Sequence, residues 1–101
     1  MTKEKLKSVF QHYRDHLEQA YPDLPTRQMT GDQTQLYEAD LSTTVVVSHL
    51  KFMCEEAQRF VDQDRVEKAM RWLGFLQGVL WKEEVFTLDD LKKQSMPSDA
   101  I

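Results

Sequence analysis

The sequence predicts an all-α fold, a small three-to-four-helix bundle with a long loop between its first two helices. Three segments repeat apolar residues every three or four positions, which is the period of an amphipathic helix. Residues that favour helix N-termini precede several of these segments, and all prolines fall outside them. With 101 residues, the chain suits one domain, because this length buries one core but not two. We assign the helical domain to residues 1–97 and a C-terminal tail to residues 98–101.

The first helix is expected to run from Thr2, its N-cap, to about Tyr21, because the proline at position 22 disfavours a further helical residue. Its apolar stripe consists of Leu6, Val9, Phe10, Tyr13, Leu17, Ala20 and Tyr21. Residues 22–42 follow as the long loop, since they have turn-forming residues and no sustained period. Whether a short helical or extended piece forms around Leu36 and Tyr37 stays open. A loop of this length is uncommon in a small domain, so we treat it as mobile or as a partner surface.

The second helix is expected to begin at Ser42 or Thr43 and to end near Asp62. Three consecutive valines at 45–47 favour a strand locally, but the residues after them keep the helical period. Its apolar face consists of Val46, Leu50, Met53, Cys54, Ala57, Phe60 and Val61. A short turn around Gln63 makes this helix an antiparallel neighbour of the third.

The third helix has apolar residues around most of its circumference, within the segment RVEKAMRWLGFLQGVLW at 65–81. Asp64 is expected to be its N-cap, and Glu67 three residues later completes a capping box. We expect this helix to be the centre of the fold, with a primary face of Val66, Ala69, Met70, Leu73, Leu76, Leu80 and Trp81. A second face, formed by Trp72, Phe75 and Val79, predicts the interface of a homo-oligomer.

Gly74 and Gly78 lie together on one flank of the third helix. Glycine costs about 1 kcal/mol relative to alanine inside a helix, so two of them indicate a packing constraint. We expect a tight crossing with another helix of the same chain. A fourth, short helix is expected after Thr87, which forms an acidic capping box with Asp90, and it must end before Pro97.

Composition narrows the classes of partner and compartment. The formal net charge of -4 disfavours nucleic acid, whose phosphates bind clustered basic residues. The single cysteine, Cys54, excludes an intramolecular disulfide and a zinc site built on several thiolates, which fits a reducing compartment. No apolar run approaches the roughly 20 residues that cross a bilayer, and the charged start MTKEKLKSVF lacks the core of a signal peptide. We therefore expect a cytoplasmic protein with no membrane partner and no cofactor.

The histidines are the first candidates for chemistry. His12 and His16 are four residues apart and could reach one metal ion, but the sequence names no further ligand, so no metal site is assigned. His49 and Glu56 on the second helix are candidates for an acid/base or ligand-binding pair. The alternative for His49 is a residue at the edge of the core that hydrogen-bonds a neighbouring segment.

Basic residues surround the turn between the second and third helices. Arg59, Arg65 and Arg71, together with Lys68, are candidates for binding an anion or an acidic protein surface. The alternative is a surface on which they pair with neighbouring glutamates. No catalytic residue is assigned, because no phosphate-binding glycine loop, nucleophile elbow or zinc-ligand cluster is present in the sequence.

The second half of the chain resembles a family of small uncharacterised proteins of tailed bacteriophages. The resemblance rests on three segments, SHLKFMCEEA at 48–57, EKAMRWLGFLQGVLW at 67–81 and TLDDLKKQSMP at 87–97. It implies a phage-encoded protein that acts in the cytoplasm of an infected bacterium. Small domains of this origin commonly bind and block host proteins. The resemblance carries no site residues.

Three functions therefore remain under consideration. The first is a non-enzymatic protein that binds and inhibits, or redirects, a host bacterial protein in host takeover or anti-defence. The second is a helical small-ligand or nucleotide-binding protein, including a metal-dependent hydrolase, although the paired acidic motifs of helical pyrophosphohydrolases are not found in the required arrangement. The third is a structural assembly factor.

Overall fold

The computed structural model describes residues 1–35 and 41–95, and within them the chain is helical without a strand. The helices are α1 (Lys3–Ala20), α2 (Gly31–Gln35), α3 (Thr43–Asp62), α4 (Val66–Lys82) and α5 (Leu88–Ser95). The all-α bundle predicted from the sequence is thus confirmed. In these residues no helix combines the length and hydropathy needed to span a membrane. The expected piece around Leu36 and Tyr37 and the tail at 98–101 lie outside the described residues.

Helix α1 begins and ends as its sequence predicts. The hydroxyl of Thr2 accepts a hydrogen bond from the backbone N–H of Lys5 at 3.0 Å, so Thr2 is the N-cap. The residues of its stripe that become buried are Leu6, Val9, Phe10, Tyr13 and Leu17. The loop after α1 contains α2, whose start is a capping box between Thr30 and Gln33. The threonine and the glutamine three residues later are the sequence signal for this short helix.

Helix α3, and not α4, is the centre of the fold. It packs against α1 on one side and α4 on the other, whereas the backbones of α1 and α4 rarely approach each other. The prediction that the third helix occupies the centre was therefore wrong. The buried residues of α3 are Val47, Ser48, Leu50, Lys51, Met53, Cys54, Ala57, Phe60 and Val61. They cover a wider arc of the helix than the single face expected, because α3 has a neighbour on each side.

A ladder of polar contacts follows the antiparallel packing of α1 and α3. Each step towards the end of α1 meets a residue two to four positions nearer the start of α3. The rungs are Lys3–Asp64 (2.5 Å), Lys7–Asp62 (2.6 Å), Gln11–Gln58 (3.0 Å), Arg14–Glu55 (3.9 Å) and Glu18–Lys51 (3.0 Å). The first rungs are exposed and contribute little to stability. The last rung is of a different kind, because Lys51 is fully buried.

Lys51 fastens the chain where it leaves α1. Its ammonium has three N–H donors, and each meets an oxygen: Glu18 Oε2 at 3.0 Å, the Tyr21 carbonyl at 2.7 Å and the Leu24 carbonyl at 2.8 Å. A buried ammonium is costly unless its donors are satisfied, and here they are. The acceptors also lie at the negative end of the α1 dipole, which favours a cation there.

The turn between α3 and α4 corrects the predicted cap of α4. Asp64 has a φ of 61° and is the left-handed residue that ends α3. The N–H of Arg65 donates to the Phe60 carbonyl and that of Asp64 to the Val61 carbonyl, which together form a Schellman motif. Asp64 therefore cannot take the extended conformation of an N-cap, and Arg65 begins α4 without a side-chain hydrogen bond.

Helix α4 buries one stripe and exposes the rest. The stripe consists of Ala69, Leu73, Leu76 and Leu80, whereas Met70 and Trp81 of the predicted face are 43% and 50% exposed. A Cβ added at Gly74 or Gly78 would meet no atom within 4 Å, so the expected tight crossing inside the chain was also wrong. Both results have one cause, because α4 lies on the outside of the bundle with α3 as its main neighbour.

Helix α5 closes one end of the bundle. Its predicted capping box is confirmed, with Thr87 N–H donating to Asp90 Oδ2 at 3.1 Å and Asp90 N–H to Thr87 Oγ1 at 3.0 Å. The side chains of Phe86 and Leu91 join the core. The Phe86 ring lies 5.5 Å from that of Tyr13, which connects this end to α1.

Candidate functional site

The loop that follows α1 is held against the first half of α3. The N–H of Arg27 donates to the Ser48 carbonyl at 3.1 Å, and the N–H of Met29 donates to Nδ1 of His49 at 3.0 Å. Lys51 holds the same loop at Leu24, five residues before Met29. These contacts place the loop beside α3 rather than leaving it free.

A groove lies between this loop, α3 and α4. It has a volume of about 240 Å³, and among the described residues its walls are Met29, Leu41, Val46, His49, Leu50, Phe75, Val79 and Glu83. Two of these apolar residues remain largely open to solvent, Leu41 at 61% and Phe75 at 55% exposed. The only polar side chains of that lining are His49 and Glu83. We refer to this feature as the loop groove.

His49 is a fixed, neutral hydrogen-bonding group in the loop groove. Because its Nδ1 accepts the hydrogen bond from Met29, the proton of the neutral ring is on Nε2. Burial lowers the pKa of His49 and so favours this neutral form. The ring also stacks on Phe52, with centroids 5.8 Å apart. The histidine thus has the contacts expected of a residue at the edge of the core, and it also borders a cavity.

The other ligand-binding candidates lie towards the opposite end of α3. Glu56 holds Arg59 in an ion pair at 2.6 Å. Ten residues separate His49 from Arg59, about 15 Å along the helix at 1.5 Å per residue. The structure therefore places His49 in the loop groove and does not bring it together with the arginines.

The basic residues at the α3–α4 turn surround aromatic rings. Arg65 lies over the Phe60 ring at 5.1 Å and Lys68 over the same ring at 4.5 Å. Trp72 packs edge-on against Phe60 with centroids 4.8 Å apart, so it is half-buried within the chain. Arg71 is exposed beside an open surface depression that it shares with Asp64, Arg65 and Glu67.

The residues predicted as an oligomer interface separate into different environments. Trp72 packs on Phe60, whereas Phe75 and Val79 line the loop groove with His49. His49, predicted as a ligand-binding residue, thus lies in the same groove as Phe75 and Val79, which were predicted as oligomer-interface residues. The sequence could not show this meeting, because it depends on how α3 and α4 pack.

The remaining candidates for chemistry are packed against the protein. His16 lies 4.5 Å and His12 5.8 Å from the Phe86 ring, and among the described residues no group of three side chains could hold a metal ion. Cys54 is buried on α3, and desolvation raises the pKa of its thiol to about 12. At neutral pH it is a thiol with little nucleophilic character.

Three residues of the loop groove were not singled out from the sequence: Met29, Leu41 and Glu83. Leu41 had a detectable signal, since it precedes the N-cap Ser42 and pairs with Val46 at the spacing of a hydrophobic staple. Met29 and Glu83 had none, because a loop residue and a helix-end residue meet here only through tertiary packing.

No protein-family model, curated protein or solved structure matches the chain.

Proposed function

We propose that the chain is a small, phage-encoded, non-enzymatic protein that binds a host bacterial protein and inhibits or redirects it, and that the loop groove receives the partner. The observation that carries the proposal is the groove itself. Leu41 and Phe75 stand exposed on its two sides, and apolar walls connect them. Exposed apolar surface around a pocket is typical of a protein-binding site.

The dimensions of the groove suit one anchor side chain. An apolar cavity of about 150 Å³ holds a benzene molecule, so the 240 Å³ here can take one aromatic or branched apolar side chain of a partner. Glu83 is part of the lining and favours a basic residue beside that anchor. His49 presents a neutral N–H to a carbonyl oxygen of the partner.

The loop contributes an edge that is fixed in advance. Its backbone is hydrogen-bonded to Ser48, His49 and Lys51 on α3, so Met29 is held at the groove before a partner arrives. A preorganised wall lowers the entropy cost of binding. This supports a groove of defined shape over an adaptable loop.

Affinity capture from a bacterial lysate tests the proposal with a matched pair of variants. Leu41→Glu places a charge in the groove, and Leu88→Glu places one at α5, outside it. Both leucines are exposed, at 61% and 62%, so neither change should unfold the protein. We expect the wild type and Leu88→Glu to retain one stoichiometric host protein and Leu41→Glu to lose it, with equal circular dichroism.

Other outcomes count against the proposal. Equal retention by all three proteins would show that the partner binds elsewhere. If no protein is retained but nucleotides or divalent metal ions raise the melting temperature, the small-ligand or hydrolase alternative is favoured. If only other phage components are retained, the chain is an assembly factor.

A further inference from the structure

The hydrogen bond between the loop and His49 uses a ring nitrogen that can also bind a proton. Nδ1 of His49 accepts the backbone N–H of Met29 at 3.0 Å, so the proton of the neutral ring is on Nε2. A further proton can therefore bind only at Nδ1. Once Nδ1 carries that proton it is a donor, and it no longer accepts the Met29 N–H. Protonation of His49 and its contact with the loop exclude each other.

The contact that a proton removes lies at the wall of the loop groove. Met29 belongs to the groove lining, as His49 does. Nearer to α1, the loop is attached to α3 through contacts that do not involve the imidazole. The N–H of Arg27 donates to the Ser48 carbonyl at 3.1 Å, and the ammonium of Lys51 donates to the Leu24 carbonyl at 2.8 Å. Loss of the Met29 contact therefore frees one wall of the groove and leaves these two attachments in place.

Three elements bring charged groups towards His49. Glu83 at the end of α4 belongs to the same groove lining. Arg27 lies two residues before Met29 in the loop, and Lys51 lies two residues after His49 on α3. The Lys51 ammonium is occupied by one carboxylate and two carbonyl oxygens. The carboxylate favours a protonated ring and the two cations disfavour it, whereas burial is the cause of the lowered pKa of His49.

The direction of the pH effect follows from the pKa of the ring in the two states of the loop. With the loop attached, burial holds the pKa of His49 below its ordinary value of 6.5. With Met29 released, the ring is solvated and its pKa returns towards that value. The released state thus binds the proton more tightly. The attached state is favoured above pH 6.5 and loses this advantage as the pH falls through the lower value.

We propose that His49 is a pH-sensitive switch that fixes one wall of the loop groove at neutral pH and releases it in acid. In the neutral protein Met29 is held at the groove by Nδ1. In the protonated protein the imidazolium has two donors, and Glu83 supplies a carboxylate acceptor in the same lining. The switch is a property of the free protein, and only its effect on partner binding rests on the proposed function.

An NMR titration of the isotopically labelled full chain follows both groups in one sample. The ring nitrogens of His49 and the backbone amide of Met29 should titrate together, with a midpoint below 6.5. Hydrogen exchange at Met29, corrected for the intrinsic effect of pH, should accelerate by up to about tenfold per pH unit, the limit when one proton drives the opening. The Leu24 amide, which donates to the Tyr21 carbonyl at 3.2 Å, is the internal control and should not follow this titration.

Three variants separate the switch from other effects of acid. In His49→Asn the amide oxygen replaces Nδ1 as an acceptor and does not titrate, so Met29 should stay protected over the same pH range. His49→Leu has no acceptor, so Met29 should be released already at neutral pH. His12→Asn removes a histidine on α1 that packs near Phe86, and as the matched control it should leave the wild-type titration unchanged.

Four results would overturn the switch. The first is a Met29 amide whose exchange does not follow the titration of the His49 ring. The second is acid release that persists in His49→Asn, and the third is a Met29 amide that stays protected in His49→Leu. The fourth is loss of protection throughout α1 and α3 at the same pH, because the proton would then unfold the whole protein rather than free one wall of the groove.

Discussion

Lys51 shows how one residue can hold two segments together. Its ammonium ties Glu18 on α1 and the carbonyls of Tyr21 and Leu24 to the middle of α3. Its hydrogen bond to the Leu24 carbonyl is one of the contacts that hold the loop beside α3, and the loop forms one wall of the loop groove. A lysine in this position is expensive to desolvate and is stabilising only with all its partners present.

Replacing Lys51 with methionine tests this role. Methionine keeps the volume but leaves the Tyr21 and Leu24 carbonyls without their donor, each at a cost of about 1 to 3 kcal/mol. We expect the free energy of unfolding to fall by about 2 to 4 kcal/mol in urea denaturation, since water can reach part of the site. Lys7→Met, which removes an exposed rung of the same ladder, should change it far less. Equal effects of the two variants would contradict this role of Lys51.

Helices α3 and α4 end in the same C-terminal motif. Each helix ends in a Schellman motif with an acidic residue in the left-handed position, Asp64 after α3 and Glu84 after α4, both at a φ of 61°. For α4 the N–H of Val85 donates to the Leu80 carbonyl at 2.9 Å and that of Glu84 to the Trp81 carbonyl at 3.0 Å. Glycine is the usual residue at this position, because it has no Cβ to clash there.

Glu84→Gly is therefore expected to stabilise the protein relative to Glu84→Ala. The left-handed conformation costs a residue with a Cβ about 1 to 2 kcal/mol. The comparison with alanine removes the charge in both variants and isolates the backbone contribution. Thermal unfolding at a concentration where the protein is monomeric should show a higher melting temperature for the glycine variant. The same melting temperature for both would mean that Glu84 does not occupy the left-handed region.

The two sides of α4 should respond differently to truncation. Leu73 is 4% exposed in the core, so Leu73→Ala should lower the free energy of unfolding by about 2 to 5 kcal/mol. Phe75 is 55% exposed on the other side, so Phe75→Ala in the monomer should cost much less. Denaturant titration of both variants measures the difference. A loss below about 1 kcal/mol for Leu73→Ala would show that this face is not the core.

At the scale of the whole molecule, the bundle is thin. It measures 43 by 29 by 24 Å, and its two shorter dimensions are between about two and three helix diameters. In such a bundle α3 is enclosed, whereas α1 and α4 keep one side in solvent. The exposed face of α4 and the open loop groove both follow from this arrangement.

The stability of the protein should depend on pH through the titration of His49 and Glu18. Burial lowers the pKa of His49, and hydrogen bonds from Lys51 and then Arg14 lower that of Glu18. A group whose pKa is lowered on folding contributes its stability above its unfolded pKa and loses it as the pH falls through the folded value. Stability should therefore be highest at neutral pH, decline below the ordinary histidine value of 6.5, and decline again below the ordinary glutamate value of 4.5.

Two variants separate these steps in urea titrations across pH. His49→Gln should remove the decline that begins near 6.5, because the neutral amide does not titrate. Glu18→Gln should weaken the decline below 4.5 and leave the upper one in place. An unchanged upper decline in His49→Gln would show that another group titrates there.

The sequence by itself determined the helices of this protein, because their signals are local. Apolar spacing placed α1, α3 and α4 within a few residues, the capping box at Thr87 placed α5, and Thr2 and Thr87 are caps as expected. Caps and periods involve residues less than about two turns apart, so the chain shows them without its fold. The burial of Lys51 also has a signal in the local sequence, because the residue lies on the same helical face as Val47 and Cys54, which are buried.

Only the tertiary structure decided which helix is central and which faces are covered. The apolar circumference of α4 predicted a central helix, but a helix is central through its neighbours, and α3 has them on both sides. Asp64 had the spacing of an N-cap, yet the short turn requires it as the left-handed end of α3. The loop groove joins Met29, His49, Val79 and Glu83 from three separate segments. Such a site forms only when these segments pack together, because its residues are far apart in the sequence and no local pattern relates them.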